Sequence, residues 1–176
     1  MGVLIVASKS DMASMTLYDA MMRLDGWSGP FSTTSGDYYI HECDSVYLLV
    51  IDQIHIRADN LDFLFKKHTG HSVDDVLILS RHVSRSKTPA MTLHAIGIPG
   101  ILPYGEEGIS GGKNGLLVPP SKYFASLFRR MNNLARREKL DFDFDLTLET
   151  THHGPILTTP TLYIAVSYTH LRAHET

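Results

Sequence analysis

The spacing of apolar residues changes along the chain from a strand-like to a helix-like period. Residues 3–7 form a short apolar run typical of a buried strand. A polar turn follows at residues 8–11, and residues 13–24 carry apolar side chains near helical spacing. The order strand, turn, helix predicts that the chain opens with a βα unit.

The same patterns predict further strands and helices along the rest of the chain. The predicted strands are residues 38–42, 46–51, 76–80, 90–94, 116–118, 141–151 and 161–166, the predicted helices are residues 59–67 and 121–139, and the predicted glycine-rich loops are residues 26–36 and 95–115. The strand at 141–151 rests on a regular alternation in which Phe142, Phe144, Leu146 and Leu148 share one face. Strands interspersed with helices predict an α/β fold.

Length and composition favour one globular domain without membrane contact. The 176 residues are 43% hydrophobic and 20% charged, and no stretch approaches the ~20 apolar residues that span a bilayer. The single cysteine favours a reducing compartment, so we expect a cytoplasmic protein, and we expect a monomer. The net charge of −3 gives no support for wrapping duplex nucleic acid, although a local basic pocket can still hold an RNA end.

The final segment, residues 167–176, continues none of these patterns. It resembles the translated adapter tail found on some environmental sequence reads. We therefore expect residues 1–166 to be the N-terminal part of a single domain and residues 167–176 to be non-native. His170 and His174 are left out of the site for this reason.

Histidines follow several of the predicted strands. His82, His94, His152 and His153 all lie at or just after strand ends. In open α/β sheets ligands bind outside the carboxyl ends of the strands. Histidine at such a place serves as a general base near neutral pH or as a metal ligand. Taken alone, His94 is more typical of a hydrogen-bonded structural histidine.

Two of these histidine segments carry further polar side chains. Arg81, Arg85 and Lys87 surround His82 and are interleaved with serines, a pattern that can bind phosphate or form a solvated turn. Glu149 precedes His152 and His153 and can orient an imidazole or act as a base. Adjacent histidines on an extended chain point to opposite sides, so both enter one pocket only if Gly154 bends the chain. The alternative for this segment is a polar loop.

The sequence does not decide the role of the basic residues in the predicted helix at 121–139. The predicted helix at 121–139 carries four arginines and a lysine near its end, which form either a solvated face or a contact for an RNA backbone. The motifs G-x-S-x-G, Walker A, H-E-x-x-H and C-x-x-C are absent from the sequence. The familiar serine-hydrolase, phosphate-loop and zinc-protease arrangements therefore do not apply.

Five motifs, in order from residue 3 to about residue 165, resemble the archaeal and plant type D-aminoacyl-tRNA deacylases (the GEKO family). They are Val6-Ala7-Ser8-Lys9 with Ala13-Ser14-Met15, Ala58-Asp59-Asn60-Leu61, Leu79-Ser80-Arg81-His82 with Ser84, Ser86 and Lys87, Leu93-His94, and Thr151-His152-His153-Gly154-Pro155. The resemblance implies a mixed central sheet flanked by helices, similar to peptidyl-tRNA hydrolase and purine nucleoside phosphorylase. It also implies a zinc-dependent hydrolase that splits the ester between a D-amino acid and the acceptor end of tRNA.

Under this resemblance the candidate residues take definite roles. We expect His152 or His153 near the attacked carbonyl with Glu149 orienting, and His82 and His94 holding zinc or polarising the ester. We expect Lys9, Arg81, Arg85 and Lys87 to contact the acceptor end of tRNA. The family also has a later Gly-Gly-Gly-His-Tyr element that this sequence lacks, so we expect a C-terminally truncated member with one wall of the pocket missing and its activity impaired.

Two other functions are compatible with the same residues. A nucleoside phosphorylase or nucleosidase would use the basic segment to bind phosphate. A non-catalytic RNA-binding fragment would use it to bind the RNA backbone.

Overall fold

One eight-stranded sheet carries three α-helices in the part of the chain that the structure, a computed structural model, describes: residues 2–42, 45–83, 88–100 and 110–167. The strands are β1 (Val3–Ser8), β2 (Trp27–Thr33), β3 (Gly36–His41), β4 (Val46–Ile51), β5 (Asp75–Arg81), β6 (Ala90–His94), β7 (Asp145–Leu148) and β8 (Thr161–Val166). The helices are α1 (Met12–Met22), α2 (Leu61–Thr69) and α3 (Phe124–Arg137), and short 3-10 turns occupy His55–Arg57 and Leu140–Phe142. None of these helices is long and apolar enough to cross a membrane.

The sheet is mixed, with the strand order β2-β3-β4-β1-β5-β8-β6-β7. The four central strands β4, β1, β5 and β8 run parallel. On one side β3 and β2 add in antiparallel fashion, and on the other side β6 pairs antiparallel with β8 while β7 runs parallel to β6. The prediction of an α/β fold with a mixed central sheet flanked by helices is confirmed.

The alternation of side chains along the central strands builds two separate cores. On one face α1 packs against Ile5, Ala7, Leu48 and Leu79 with a shell of partly buried residues. On the opposite face α2 packs against a larger cluster that includes Leu4, Val6, Ile78 and Tyr163. Buried strands with apolar residues on both faces are typical of parallel sheets covered on both sides.

Strand β2 lies where the sequence predicts a loop at residues 26–36. Its side chains are exposed except at the two ends, and it pairs with β3 at the edge of the sheet. A bulge between Ser28 and Phe31 accommodates Gly29 and Pro30. The prediction is wrong because an exposed edge strand needs no apolar alternation and tolerates proline at a bulge.

The segment around α3 also differs from its prediction. The predicted strand at 116–118 forms only an isolated bridge between Leu117 and Gly97, and α3 begins at Phe124, three residues after Ser121. The strand predicted from residue 141 begins at Asp145, because Leu140–Phe142 forms a 3-10 turn that leaves Phe142 84% exposed. The apolar alternation at these positions therefore overstates the length of β7.

Only the first residue of the segment predicted to be non-native is described. The amide of Ser167 donates to the carbonyl of Ala90, and the Ser167 hydroxyl accepts from the Ala90 amide at 2.9 Å. Ser167 thus continues the ladder between β8 and β6. The other nine residues lie outside the described ranges, so the division at residue 166 stays a prediction.

Candidate active site

A cavity of about 470 Å³ lies over the sheet face that carries Tyr163. Its walls come from the segments that follow β1, β4, β5, β6 and β7. Ser80 and Ala165, which are register partners on neighbouring strands, supply small side chains at its lining. The small side chains leave room above this part of the sheet.

The histidines do not all lie at one carboxyl edge of the sheet, because the strands that precede them run in different directions. His82 follows β5 at its carboxyl end, beside β8. Strand β6 runs opposite to β8, so His94 at its end is the register partner of Tyr163 near the start of β8. The imidazole of His94 stacks on the ring of Tyr163, with centroids 5.0 Å apart and planes at 21°. The site therefore lies over the sheet face and not only beyond its edge.

His94, His152 and His153 form one compact group. One nitrogen from each ring lies within 4.8 Å of the others. The rings of His94 and His152 stack with centroids 4.3 Å apart, and His153 lies edge-on to both, at 4.9 Å from His94 and 4.5 Å from His152. Both adjacent histidines reach the same place because His153 has a φ of 49°, in the left-handed region. The chain thus bends at His153 itself, one residue before the expected Gly154.

Each of these three imidazoles has its Nδ1 next to a backbone carbonyl oxygen. The distances are 3.0 Å from His94 to Ala95, 2.7 Å from His152 to Thr150 and 2.6 Å from His153 to Gly154. A carbonyl oxygen only accepts, so each Nδ1 carries the hydrogen and donates it. In the neutral ring the lone pair is then on Nε2, and this arrangement is common among metal-binding histidines.

Burial keeps two of the three rings neutral near pH 7. It lowers the pKa of His94 to about 4, and the neighbouring His152 adds to the shift. Burial also lowers the pKa of His153 to about 3, with further contributions from His94 and His152. Since a neutral imidazole is the form that accepts a proton or binds a cation, His94 and His153 have the protonation state that either role requires.

The start of α2 holds the segment that follows these histidines. Asp59 Oδ1 accepts the Ile156 amide at 2.8 Å. Asp62 Oδ2 accepts the Thr158 amide at 3.0 Å, the Thr158 hydroxyl at 2.8 Å and the Thr159 amide at 2.8 Å. Burial by itself raises the pKa of the Asp62 carboxyl, but these hydrogen bonds outweigh it and lower the pKa below its usual value. The Ala58–Leu61 region of the sequence therefore serves to fix the backbone next to His153.

Gly154 is needed for contact with other backbone rather than with a ligand. A Cβ at this position would lie 2.5 Å from the Gly112 nitrogen and 2.5 Å from the Ile56 oxygen. Separations this short force a shift of the backbone. Two other segments of the chain itself thus approach the backbone closely at Gly154.

His82 and Glu149 form a second pair in the cavity, separate from the three-histidine group. His82 Nδ1 lies 3.3 Å from Glu149 Oε1, and the His82 side chain is only 8% exposed. Glu149 therefore orients His82, where the sequence led us to expect it beside His152 or His153. Within the described residues, the potential metal ligands are His94, His152 and His153, and His82 is not among them.

The candidate tRNA-binding residues have different surroundings. Arg81 lines the cavity with an exposed side chain, while its amide donates to Asp11 Oδ2 at 2.8 Å. Lys9 lies on the surface and pairs with Asp52 at 2.8 Å, and hydrogen bonding to this carboxylate raises the pKa of Lys9. Arg85 and Lys87 lie outside the described residues.

Sequence reasoning missed three polar residues: Asp11 and His55, which line the cavity, and Tyr163, which is completely buried. None of the three was named as a site residue, and Asp11 was noted only as part of the polar turn at residues 8–11. Asp11 does cap α1, because its Oδ1 accepts from the amides of Ala13 and Ser14. Its other oxygen accepts from His55. The position of His55 four residues after β4, a strand that pairs parallel with β1, is the signal that would have pointed to it.

Comparisons with known proteins point to one family. A family model described as D-aminoacyl-tRNA deacylase matches residues 69–169. A D-aminoacyl-tRNA deacylase from Arabidopsis thaliana is 35% identical over 170 residues, which cover 96% of this chain and 53% of the relative. One from Archaeoglobus fulgidus is 30% identical over 156 residues, covering 86% of this chain and 50% of the relative.

A solved structure shares the fold. The crystal structure of a conserved protein of unknown function superposes with a TM-score of 0.75 at 27% identity, covering 94% of this chain and 54% of that one. The chain thus spans about half the length of the relatives that it matches. Since the family model matches more than half of the residues, the chain belongs to the D-aminoacyl-tRNA deacylase family.

Proposed function

We propose that this protein hydrolyses the ester bond of D-aminoacyl-tRNA, releasing a free D-amino acid and tRNA. The observation that carries the proposal is the group of His94, His152 and His153 in one cavity with the His82–Glu149 pair, in a chain of the deacylase family. An aminoacyl ester is already an activated acyl group. A well-placed water, a base and a means of stabilising the oxyanion are therefore sufficient for its hydrolysis.

In this proposal His82 is the general base. Glu149 accepts the Nδ1 hydrogen of His82, which leaves Nε2 to take a proton from the attacking water. The water oxygen bonds to the ester carbonyl carbon, the bond to the ribose oxygen breaks, and the proton on Nε2 passes to that oxygen. Glu149 holds the imidazole in the required tautomer and stabilises its charged form.

The three-histidine group has the chemistry of a zinc site. Three imidazoles whose Nδ1 hydrogens are held by carbonyl oxygens match the ligand number and the supporting hydrogen bonds of a catalytic zinc ion. We assign His94, His152 and His153 as the residues that hold it, in place of the His82 and His94 pair. A bound zinc ion would supply Lewis acidity for the ester carbonyl or for the attacking water.

The tRNA acceptor end is the proposed partner. Arg81 at the rim of the cavity offers a guanidinium for a phosphate, with Arg85 and Lys87 following in the sequence. We propose that the protein acts as a cytoplasmic monomer, in keeping with its single cysteine.

The direct test is to incubate the protein with D-Tyr-tRNA and with L-Tyr-tRNA and to measure tyrosine release. We expect measurable but reduced release from the D-form only, and loss of this release in His82→Asn. His68→Asn is the matched control, because His68 is an exposed histidine that contacts Thr34 on the far side of α2. Absence of release from D-Tyr-tRNA with zinc supplied would overturn the proposal.

The alternative functions give different results with the same protein. Release of a base from free nucleosides, dependent on phosphate, would indicate a phosphorylase. Tight tRNA binding without tyrosine release would indicate an RNA-binding fragment. Either result, in place of deacylation, contradicts the proposed reaction.

A further inference from the structure

Beneath the three-histidine group lies a buried chain of polar side chains that the proposed reaction does not use. We propose that Asp11, His55 and Tyr163 act together as positioning residues that fix the tautomer and orientation of His153. The inference rests on the proposed function only for its effect on catalysis. Its structural claim concerns the histidine group alone.

The first link joins Asp11 to His55. Asp11 Oδ2 lies 3.0 Å from His55 Nε2, and the two side chains are 5% and 4% exposed. The same oxygen accepts the Arg81 amide at 2.8 Å. Burial tends to raise the pKa of the Asp11 carboxyl, but the hydrogen bonds from His55, Arg81 and Ser14 outweigh it and lower the pKa. Asp11 is therefore an ionised acceptor held between the ends of β1 and β5, and it fixes which nitrogen of His55 faces inward.

The second link joins His55 to Tyr163. His55 Nδ1 lies 3.1 Å from the Tyr163 hydroxyl, and Tyr163 is completely buried. The same hydroxyl lies 3.3 Å from the Gly154 carbonyl oxygen, so its one hydrogen is shared between this oxygen and His55 Nδ1. That oxygen is the acceptor of the His153 Nδ1 hydrogen at 2.6 Å. One carbonyl thus receives both the last donor of the chain and the hydrogen that defines the His153 tautomer.

The ring of Tyr163 makes a further contact with the group. It stacks on His94 at 5.0 Å and meets His153 edge-on at 4.7 Å. Fixing the hydroxyl at one end of the tyrosine therefore fixes the surface against which two of the three imidazoles lie. A displacement of this ring moves His94 and His153 together.

The α1 cap accounts for Asp11, but the packing of the core gives no reason for a polar side chain at His55. Tyr163 belongs to a cluster of mainly leucine, valine and isoleucine residues, and the His55 ring lies edge-on to the Tyr163 ring with centroids 5.2 Å apart. Burying an aspartate and a histidine costs free energy that apolar residues avoid. A role in maintaining the geometry of the three-histidine group would account for this cost in free energy.

Tyr163→Phe is the sharpest test, because it keeps the ring and removes only the hydroxyl. Two-bond ¹H–¹⁵N spectra of the zinc-free protein report the tautomer of each histidine, and calorimetry reports zinc affinity. We expect His153 to change from the Nδ1–H form to a mixture, and zinc affinity to fall about tenfold to hundredfold. Asp11→Asn, which keeps an acceptor for the α1 cap, is expected to act in the same direction.

Tyr39→Phe is the matched control. The Tyr39 hydroxyl bonds the Tyr18 hydroxyl at 3.0 Å on the opposite face of the sheet. We expect it to lose similar thermal stability with unchanged tautomers and zinc affinity. If Tyr163→Phe and Asp11→Asn both keep the wild-type tautomers and zinc affinity, the inference is overturned.

The outcome separates this inference from the proposed function. Altered tautomers in Tyr163→Phe, together with a wild-type protein that releases no tyrosine from D-Tyr-tRNA, would support the positioning role and reject the reaction. Deacylation with unchanged tautomers and zinc affinity in both variants would support the reaction and reject the positioning role.

Discussion

The imidazole Nδ1 of His82 lies 3.3 Å from the carboxylate of Glu149, although the two residues follow strands that run in opposite directions. His82 comes after β5 and Glu149 comes directly after β7, at the far edge of the sheet. The pair lines the same cavity as the three-histidine group. Two histidine systems therefore face one space, and each can be tested separately.

Removing the charge of Glu149 tests its role in orienting His82. We expect Glu149→Gln to lower kcat for D-Tyr-tRNA about tenfold to hundredfold, because the amide no longer favours the required tautomer of His82. KM is expected to change little. Steady-state kinetics of tyrosine release measures both. Glu138→Gln, which removes an exposed carboxylate paired with Arg137 on α3, serves as the control and should keep wild-type kinetics.

Zinc binding tests the assignment of the three-histidine group. We expect His94→Ala, His152→Ala and His153→Ala each to lower zinc affinity about a hundredfold or more, since a three-ligand site tolerates no loss. His82→Ala should keep zinc binding while losing deacylation. Calorimetry with zinc measures the first effect, and chelation followed by zinc addition checks that activity returns. Equal zinc loss in His82→Ala would contradict the separation of the two systems.

Arg81 and the arginines of α3 test where RNA binds. Arg81 lines the cavity, whereas α3 lines a different cavity together with Met91, Leu93 and Ile164 on the other face of the sheet. We expect Arg81→Ser to weaken tRNA binding about tenfold and to reduce the slope of affinity against salt by about one phosphate contact. Arg129→Ser on α3 should leave both unchanged. A larger effect from Arg129→Ser in filter-binding titrations would instead make α3 the RNA contact.

The pH dependence of stability tests the carboxylate of Asp62. Its hydrogen bonds to Thr158 and Thr159 hold its pKa below the unfolded value of about 3.9, so the folded state binds fewer protons. The stabilisation is complete above that value and is lost as pH falls through the folded pKa. We expect Asp62→Asn to lower the free energy of unfolding by about 2 kcal/mol at pH 7.

Urea unfolding at pH 7 and at pH 3 measures this effect. The difference between wild type and Asp62→Asn should shrink at the lower pH, because the wild-type carboxyl is then increasingly protonated. Asp19→Asn, an exposed carboxylate on α1, is the control and should show no such difference. A difference that is constant between the two pH values would show that the charge of Asp62 does not matter.

Local patterns in the sequence were sufficient to predict the buried strands. The apolar runs at β1, β4, β5 and β8 mark strands that are buried on both faces, because a strand covered on both faces needs apolar side chains at nearly every position. Strand β2 gave no such signal, because it is an edge strand with mostly exposed side chains. Phe142 led to a wrong prediction of a strand at this position, because its apolar side chain is exposed in a 3-10 turn.

The sequence by itself also determined the candidate side chains of the cavity, since His82, His94, Glu149, His152 and His153 follow strands whose ends are visible in the apolar pattern. Only the tertiary structure decided their partners. Contacts between residues far apart in the chain set the antiparallel direction of β6, the left-handed backbone of His153 and the position of His55 between Asp11 and Tyr163. Local propensity carries no information about such contacts, because strand direction and side-chain pairing are set by the packing of the whole sheet.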